Sequence, residues 1–144
     1  MQTETAIKAV QAESDQSSGL SSLKAAFSKS RSTAFIKLDA QRWTRIDFND
    51  VVYIEAREKI SVLFFGNGEY MICKSPLYKV QCILPVGFER VHRAYIVNVQ
   101  WVDFVDVSKK QVGLKNDVTL GLGLAYKDCI AKYFVNPSRY MAED

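Results

Sequence analysis

A single histidine and three cysteines among 144 residues leave few routes to metal or disulfide chemistry. Cys73, Cys82 and Cys129 are odd in number and lack C-x-x-C spacing, which excludes a disulfide framework and a zinc knuckle. They read as small apolar residues in a reducing, cytoplasmic compartment. His92 alone cannot build a metal site, and no metal or other cofactor is expected. No run approaches the roughly 20 apolar residues of a membrane span, and the N-terminus lacks the apolar core of a signal peptide. Glycine is sparse too: Gly121-Leu122-Gly123 lacks the third glycine and the lysine of a phosphate loop. Without a G-x-S-x-G elbow or a paired Cys and His, no catalytic residue is assigned and an enzyme is not expected.

What remains is an ordinary globular composition. Apolar and aromatic residues make up 48% of the chain, enough for a packed core, and charged residues 24%, close to the roughly 25% of soluble domains. The net charge of +3 suits a polyanionic partner but is shared by many proteins that never meet one.

The chain divides by texture. Residues 1–33 are rich in Ser, Gln and Ala and read as a polar arm with too little apolar surface to offset ordering, with a short helix possible over Leu20–Phe27. Residues 34–135 read as one domain, and 136–144 as a tail. Short β-favouring runs begin at Phe35–Leu38 and Trp43–Ile46 and continue through Val51–Ile54, Ile60–Phe65 and Glu69–Cys73. Gly66-Asn67-Gly68 closes a hairpin, because Asn and Gly tolerate positive φ. Ser75–Leu84 reads as a helix, with Ser75 as N-cap, Pro76 at the first turn, Leu77, Val80 and Leu84 on one face, and Pro85 as the stop. Further strands are expected at Phe88–His92, Trp101–Val107, Gln111–Leu114 and Val118–Leu120, then a helix within Leu124–Phe134. Tyr95, Ile96 and Val97 read as packing residues, and Asn98 as a side chain fastening the adjacent turn. The fold expected is mainly β, with about nine or ten short strands, one internal helix and a short C-terminal helix.

Three segments, in this order and spacing, resemble the LytTR family of bacterial response-regulator output domains. They are Val52-Tyr53-Ile54-Glu55-Ala56, then Gly68-Glu69-Tyr70 with the helix ending at Leu84-Pro85, then Phe88-Glu89-Arg90-Val91-His92-Arg93-Ala94-Tyr95-Ile96-Val97-Asn98. The last is the most specific, being similar to the family pattern F-x-R-V-H-R-S-Y-I-V-N. The resemblance implies an elongated sandwich of short antiparallel sheets with loops along one side reaching DNA. It also implies binding to paired direct repeats in promoters, as a homodimer or with a separate regulatory protein, and without a membrane. The family domain commonly follows a receiver domain; with 33 residues ahead of it here, a receiver is expected on another chain or not at all.

The resemblance places DNA contacts in three loops, at 57–61, 92–95 and 123–127. In the first, Arg57 and Lys59 can neutralise phosphates and Ser61 can donate to a phosphate or base edge, opposed by Glu55 and Glu58. In the second, Arg93 is the leading reader, since a guanidinium can donate twice to guanine; His92 either supports the loop or contacts DNA. In the third, the family's S-R-x-Y reads Gly123-Leu124-Ala125-Tyr126-Lys127, so Leu124 stands where an arginine is usual. Tyr126 and Lys127 remain as candidates there. Lys74, Lys79, Lys109, Lys110 and Lys115 are ordinary surface unless the fold gathers them on one face. The function expected is sequence-selective double-stranded DNA binding as a transcriptional regulator. The alternative, motivated by Leu124, is a LytTR-like protein-interaction module that has lost DNA binding and acts as an anti-activator.

Overall fold

Runs of β-branched and aromatic residues, broken by Gly, Asn and charged turn tips, produce ten short strands in the described part of the chain. The computed structural model describes residues 32–37 and 40–138. The expected helix at Leu20–Phe27 lies outside them, as does part of the turn between the first two strands. The strands are β1 (Thr33–Lys37), β2 (Trp43–Asp47), β3 (Val51–Arg57), β4 (Ile60–Phe65) and β5 (Tyr70–Cys73). They continue as β6 (Phe88–His92), β7 (Tyr95–Asn98), β8 (Val102–Asp106), β9 (Gln111–Leu114) and β10 (Thr119–Gly121). Two short helices, α1 (Leu77–Gln81) and α2 (Lys127–Ala131), complete them.

All pairings are antiparallel and form three sheets: β1-β2, β10-β9-β8, and a five-stranded sheet ordered β5-β4-β3-β7-β6. The five-stranded sheet is the middle layer. Ile54 pairs with Ile96, and together with Leu63 and Cys73 these residues face the β1-β2 hairpin and α1, burying Ile36, Ile46, Leu77 and Val80. The next pair along, Tyr53 with Val97, faces the other way, towards Val112, Leu114 and Leu120 of the three-stranded sheet and Ile130 of α2. Each fully buried Ile or Leu contributes about 1.5–3 kcal/mol, so both faces are firmly held. The mainly β fold expected from the patterning forms, as the sandwich of short antiparallel sheets that the resemblance implies.

Local differences have local causes. The helix expected over Ser75–Leu84 shrinks to Leu77–Gln81, with Pro76 rather than Ser75 as its N-cap residue and no side-chain capping bond. Pro85 has no N–H for the Gln81 carbonyl and disfavours helical geometry at Leu84. The chain therefore tightens to i to i+3 bonds, Cys82 N–H to Lys79 O, Ile83 to Val80 and Leu84 to Gln81. The expected terminal helix splits into a 310 turn, Leu124–Tyr126, and α2. Tyr95–Asn98, of which Tyr95, Ile96 and Val97 are expected only as packing residues and Asn98 as a turn fastener, is a full strand within the five-stranded sheet. Gly68 adopts the anticipated positive φ of 91°, and Glu69 N–H donates to the Asn67 side chain at 2.9 Å.

Asn98 does more than fasten its neighbouring turn. Its Oδ1 accepts from Gln100 N–H at 3.1 Å, as expected of a local cap. Its Nδ2 donates to the carbonyls of Phe48 and Val51 at 3.2 and 2.9 Å, bolting β7 to the start of β3.

Candidate nucleic-acid interface

Antiparallel pairing puts the β3-β4 tip and the β6-β7 turn at the same end of the five-stranded sheet. β3 ends at Arg57, and β7 begins at Tyr95 opposite Glu55. One step further, Ala56 N–H donates to Ala94 O at 2.8 Å, so the Glu58-Lys59 tip and the Arg93-Ala94 turn lie side by side. Glu58 occupies the left-handed region with φ of 59°, the conformation a two-residue hairpin turn demands of a non-glycine residue at a cost of about 1–2 kcal/mol.

The third segment joins the same end. Register shifts between Arg90 and His92, a bulge that adds Val91 to β6, and Val91 O accepts from Gly123 N–H at 2.7 Å. Leu122 N–H donates to Lys110 O at 2.9 Å, which brings the β8-β9 turn alongside. A Cβ at Gly123 would sit 3.1 Å from the Tyr126 ring and 3.5 Å from His92 Cα, so the close approach of this turn to β6 suits glycine. Three backbone bonds thus tie four turns into one end of the domain, and three of the five lysines are gathered there, while Lys79 stays on α1 and Lys115 at the other end of β9. Lys109 and Lys110 sit on the β8-β9 turn, while Lys74 follows β5 beside the tip because Cys73 pairs with Ser61. Asp106 is engaged within its own turn: its carboxylate accepts from Ser108 Oγ and Lys109 N–H at 2.8 and 3.0 Å. The Lys109 backbone bond, with the Ser108 bond behind it, holds its pKa below the usual value.

The expected site residues differ in what surrounds them. Arg93 is exposed, and its side chain has no hydrogen-bonding or ionic partner among the described residues. Lys59 is exposed on its turn and Lys127 at the first position of α2. Arg57 is exposed but engaged, paired to Glu55 at 3.2 Å with its guanidinium 6.0 Å from the Phe64 ring centre. His92 is half-buried; its Nδ1 accepts from Ala94 N–H at 3.1 Å and its ring lies 5.3 Å from that of Tyr95. One ring nitrogen thus braces the loop. Tyr126 is half-buried under the Arg90 guanidinium, at 5.4 Å.

Ser61 must be corrected. It is fully buried, and its hydroxyl donates to Ser75 O at 2.7 Å, so it has no face to offer a ligand. The reason is position: β4 lies between β3 and β5, and Ser61 is held inside the layer covered by α1.

Sequence reasoning passed over Arg90. Its Nε donates to His92 O at 2.9 Å, Nη1 to the Gln81 side chain at 3.1 Å, and Nη2 to Arg93 O. The available signal was an arginine beside the buried Val91 inside a strand, where a half-buried cation needs acceptors.

The geometry describes a nucleic-acid-binding class of domain: a rigid β scaffold presenting cationic turns at one end. The LytTr DNA-binding domain family matches residues 41–134 of the chain. A solved LytTr DNA-binding domain from Bacillus cereus, assigned to a putative methyl-accepting/DNA response regulator, is similar in fold. It has a TM-score of 0.58 and 23% identity, covering 71% of this chain and 95% of that one. No curated protein matches the sequence. The chain belongs to the LytTr DNA-binding domain family. Among the described residues, no helix is long and apolar enough to cross a membrane.

Proposed function

We propose that the domain binds duplex DNA sequence-selectively and acts as a transcriptional regulator, through the turns at 57–59, 92–95 and 123–127. The observation that carries this reading is the exposed, unpaired Arg93 side chain on a turn tied to β3 through Ala56 N–H and Ala94 O, next to a strand tied to the third turn through Gly123 N–H and Val91 O. A guanidinium held this way can donate in parallel to guanine O6 and N7. Lys59, Lys127 and Lys74 suit phosphates, with Lys109 and Lys110 on the adjoining turn; contacts of that kind position a protein without reading sequence. Promoter repeats and a second copy of the domain, or a separate regulatory protein, belong to the same reading.

The test is selection from a random-duplex library, followed by anisotropy binding at several salt concentrations. A repeated motif should be enriched, and affinity should fall with a log–log salt slope of about −0.9 per phosphate neutralised. Arg93→Ala should cost roughly 1–3 kcal/mol and relax preference at one base pair. Equal binding of selected and scrambled duplexes by wild-type protein would sink the proposal.

One observation favours a second reading, an interaction module. Leu124 is 73% exposed on the third turn, where it adds apolar surface rather than charge. Stable co-purification with a partner regulator, abolished by Leu124→Arg while DNA binding stays absent, would support it.

A further inference from the structure

One side chain touches two of the three candidate contact turns and an element behind them. Arg90 lies half-buried in β6 and donates to the carbonyls of both His92 and Arg93. Its third donor engages Gln81 on α1, and its central carbon lies over the Tyr126 ring of the 123–126 turn, 5.4 Å from the ring centre. These carbonyls flank the β6-β7 turn, where the Val91 bulge has already removed the regular ladder that would otherwise hold the backbone. A guanidinium suits this position because its donors form a fixed planar fork and its face stacks on an aromatic ring.

We infer that Arg90 is the positioning residue of the interface, locking the Arg93 turn to α1 and to the Tyr126 turn so that Arg93 is presented in one orientation. This rests on the DNA-binding reading above, and it assigns selectivity rather than attraction to Arg90. Its guanidinium is engaged by protein acceptors and a ring rather than by phosphate, while its charge stays uncompensated, so the salt slope is read in a variant that keeps that charge. Loosening it should blur which base is preferred and leave the salt dependence where it was.

The experiment uses the full chain with the duplex selected by the wild type and variants of that duplex at each base pair. Arg90→Gln removes the charge and the fork. Arg90→Lys keeps the charge but, as a point donor, cannot span both carbonyls and stack, and it serves as the reading if Arg90→Gln does not fold. Discrimination at the base pair governed by Arg93 should fall about tenfold in either variant, with an unchanged salt slope in Arg90→Lys. In an Arg93→Ala background the Arg90 substitution should add nothing, because both act through the same contact. A residue that merely stabilised the fold would weaken all duplexes alike, and its cost would add to that of Arg93→Ala. Undiminished discrimination in both variants, or additive costs, overturns the assignment to Arg90 while leaving DNA binding intact. A wild-type protein that selects no sequence overturns both.

Discussion

Replacing Ser61 by alanine separates a structural role from a DNA-contacting one. The hydroxyl is wholly buried and donates to Ser75 O at 2.7 Å, and Ser75 itself is 4% exposed. Deleting the donor removes a hydrogen bond with a net contribution of about 0.5–1.5 kcal/mol and strands a buried carbonyl at a cost of about 1–3 kcal/mol. These overlap, and a destabilisation of about 2 kcal/mol is the working figure. For a domain of this size that lowers Tm by roughly 10 °C and lowers the urea midpoint at constant m. A domain starting from at least about 5 kcal/mol stays more than about 99% folded at 25 °C after this loss. DNA affinity measured there should therefore match wild type. Circular dichroism melts and anisotropy titrations on the same samples read both quantities. A normal melt with weakened DNA binding would refute the reasoning outright, and a normal melt with normal binding would show that the bond contributes nothing.

Other perturbations follow from the same contacts. Asn98→Leu deletes three hydrogen bonds to Gln100 N–H, Phe48 O and Val51 O, and should destabilise by about 3 kcal/mol or more, read as the drop in urea midpoint. At Gly66 a Cβ would lie 2.4 Å from the Trp101 ring, which is anchored by Nε1 donating to Asn49 O at 2.9 Å. Gly66→Ala should therefore cost about 1–3 kcal/mol and shift the tryptophan emission. Tyr133 donates to Glu89 at 2.7 Å, and burial together with that carboxylate pushes its pKa up to about 12. Its phenol stays protonated in the folded state after the unfolded chain ionises near the ordinary value of 10.0, so its contribution is complete below that pH and is lost as pH rises to about 12. Alkaline unfolding followed alongside phenolate absorbance should show this fall, and Tyr133→Phe should remove it.

Much of the secondary structure was legible because it is written locally. Asn67-Gly68 announces its turn, and Gly68 takes positive φ there. Runs of β-branched and aromatic residues announce β3 and β4, and the apolar face of α1 appears at Leu77 and Val80. The helix limits were less legible, since Pro85 acts four residues upstream through a missing donor as well as at its own position. β7 was hidden because Ile96, Val97 and Asn98 are all buried, so a central strand shows no alternation to read.

By itself the sequence determined the kind of domain and singled out Arg93 as the residue proposed to read a base. The Phe88–Asn98 segment carries the family resemblance, and the family match over residues 41–134 bears it out. Tertiary structure decided which candidates have a surface to offer. It buried Ser61 between β3 and β5, engaged His92 Nδ1 with the Ala94 N–H of its own turn, and drew Lys74, Lys109 and Lys110 to the end that carries Arg93. It also supplied Arg90 with acceptors from α1, from two turn carbonyls and from an aromatic ring 36 residues away in the chain. The physical reason is that propensity and turn chemistry act over a few residues, whereas sheet order and register are set by which faces bury together. Neighbours made by sheet order leave no local mark in the sequence.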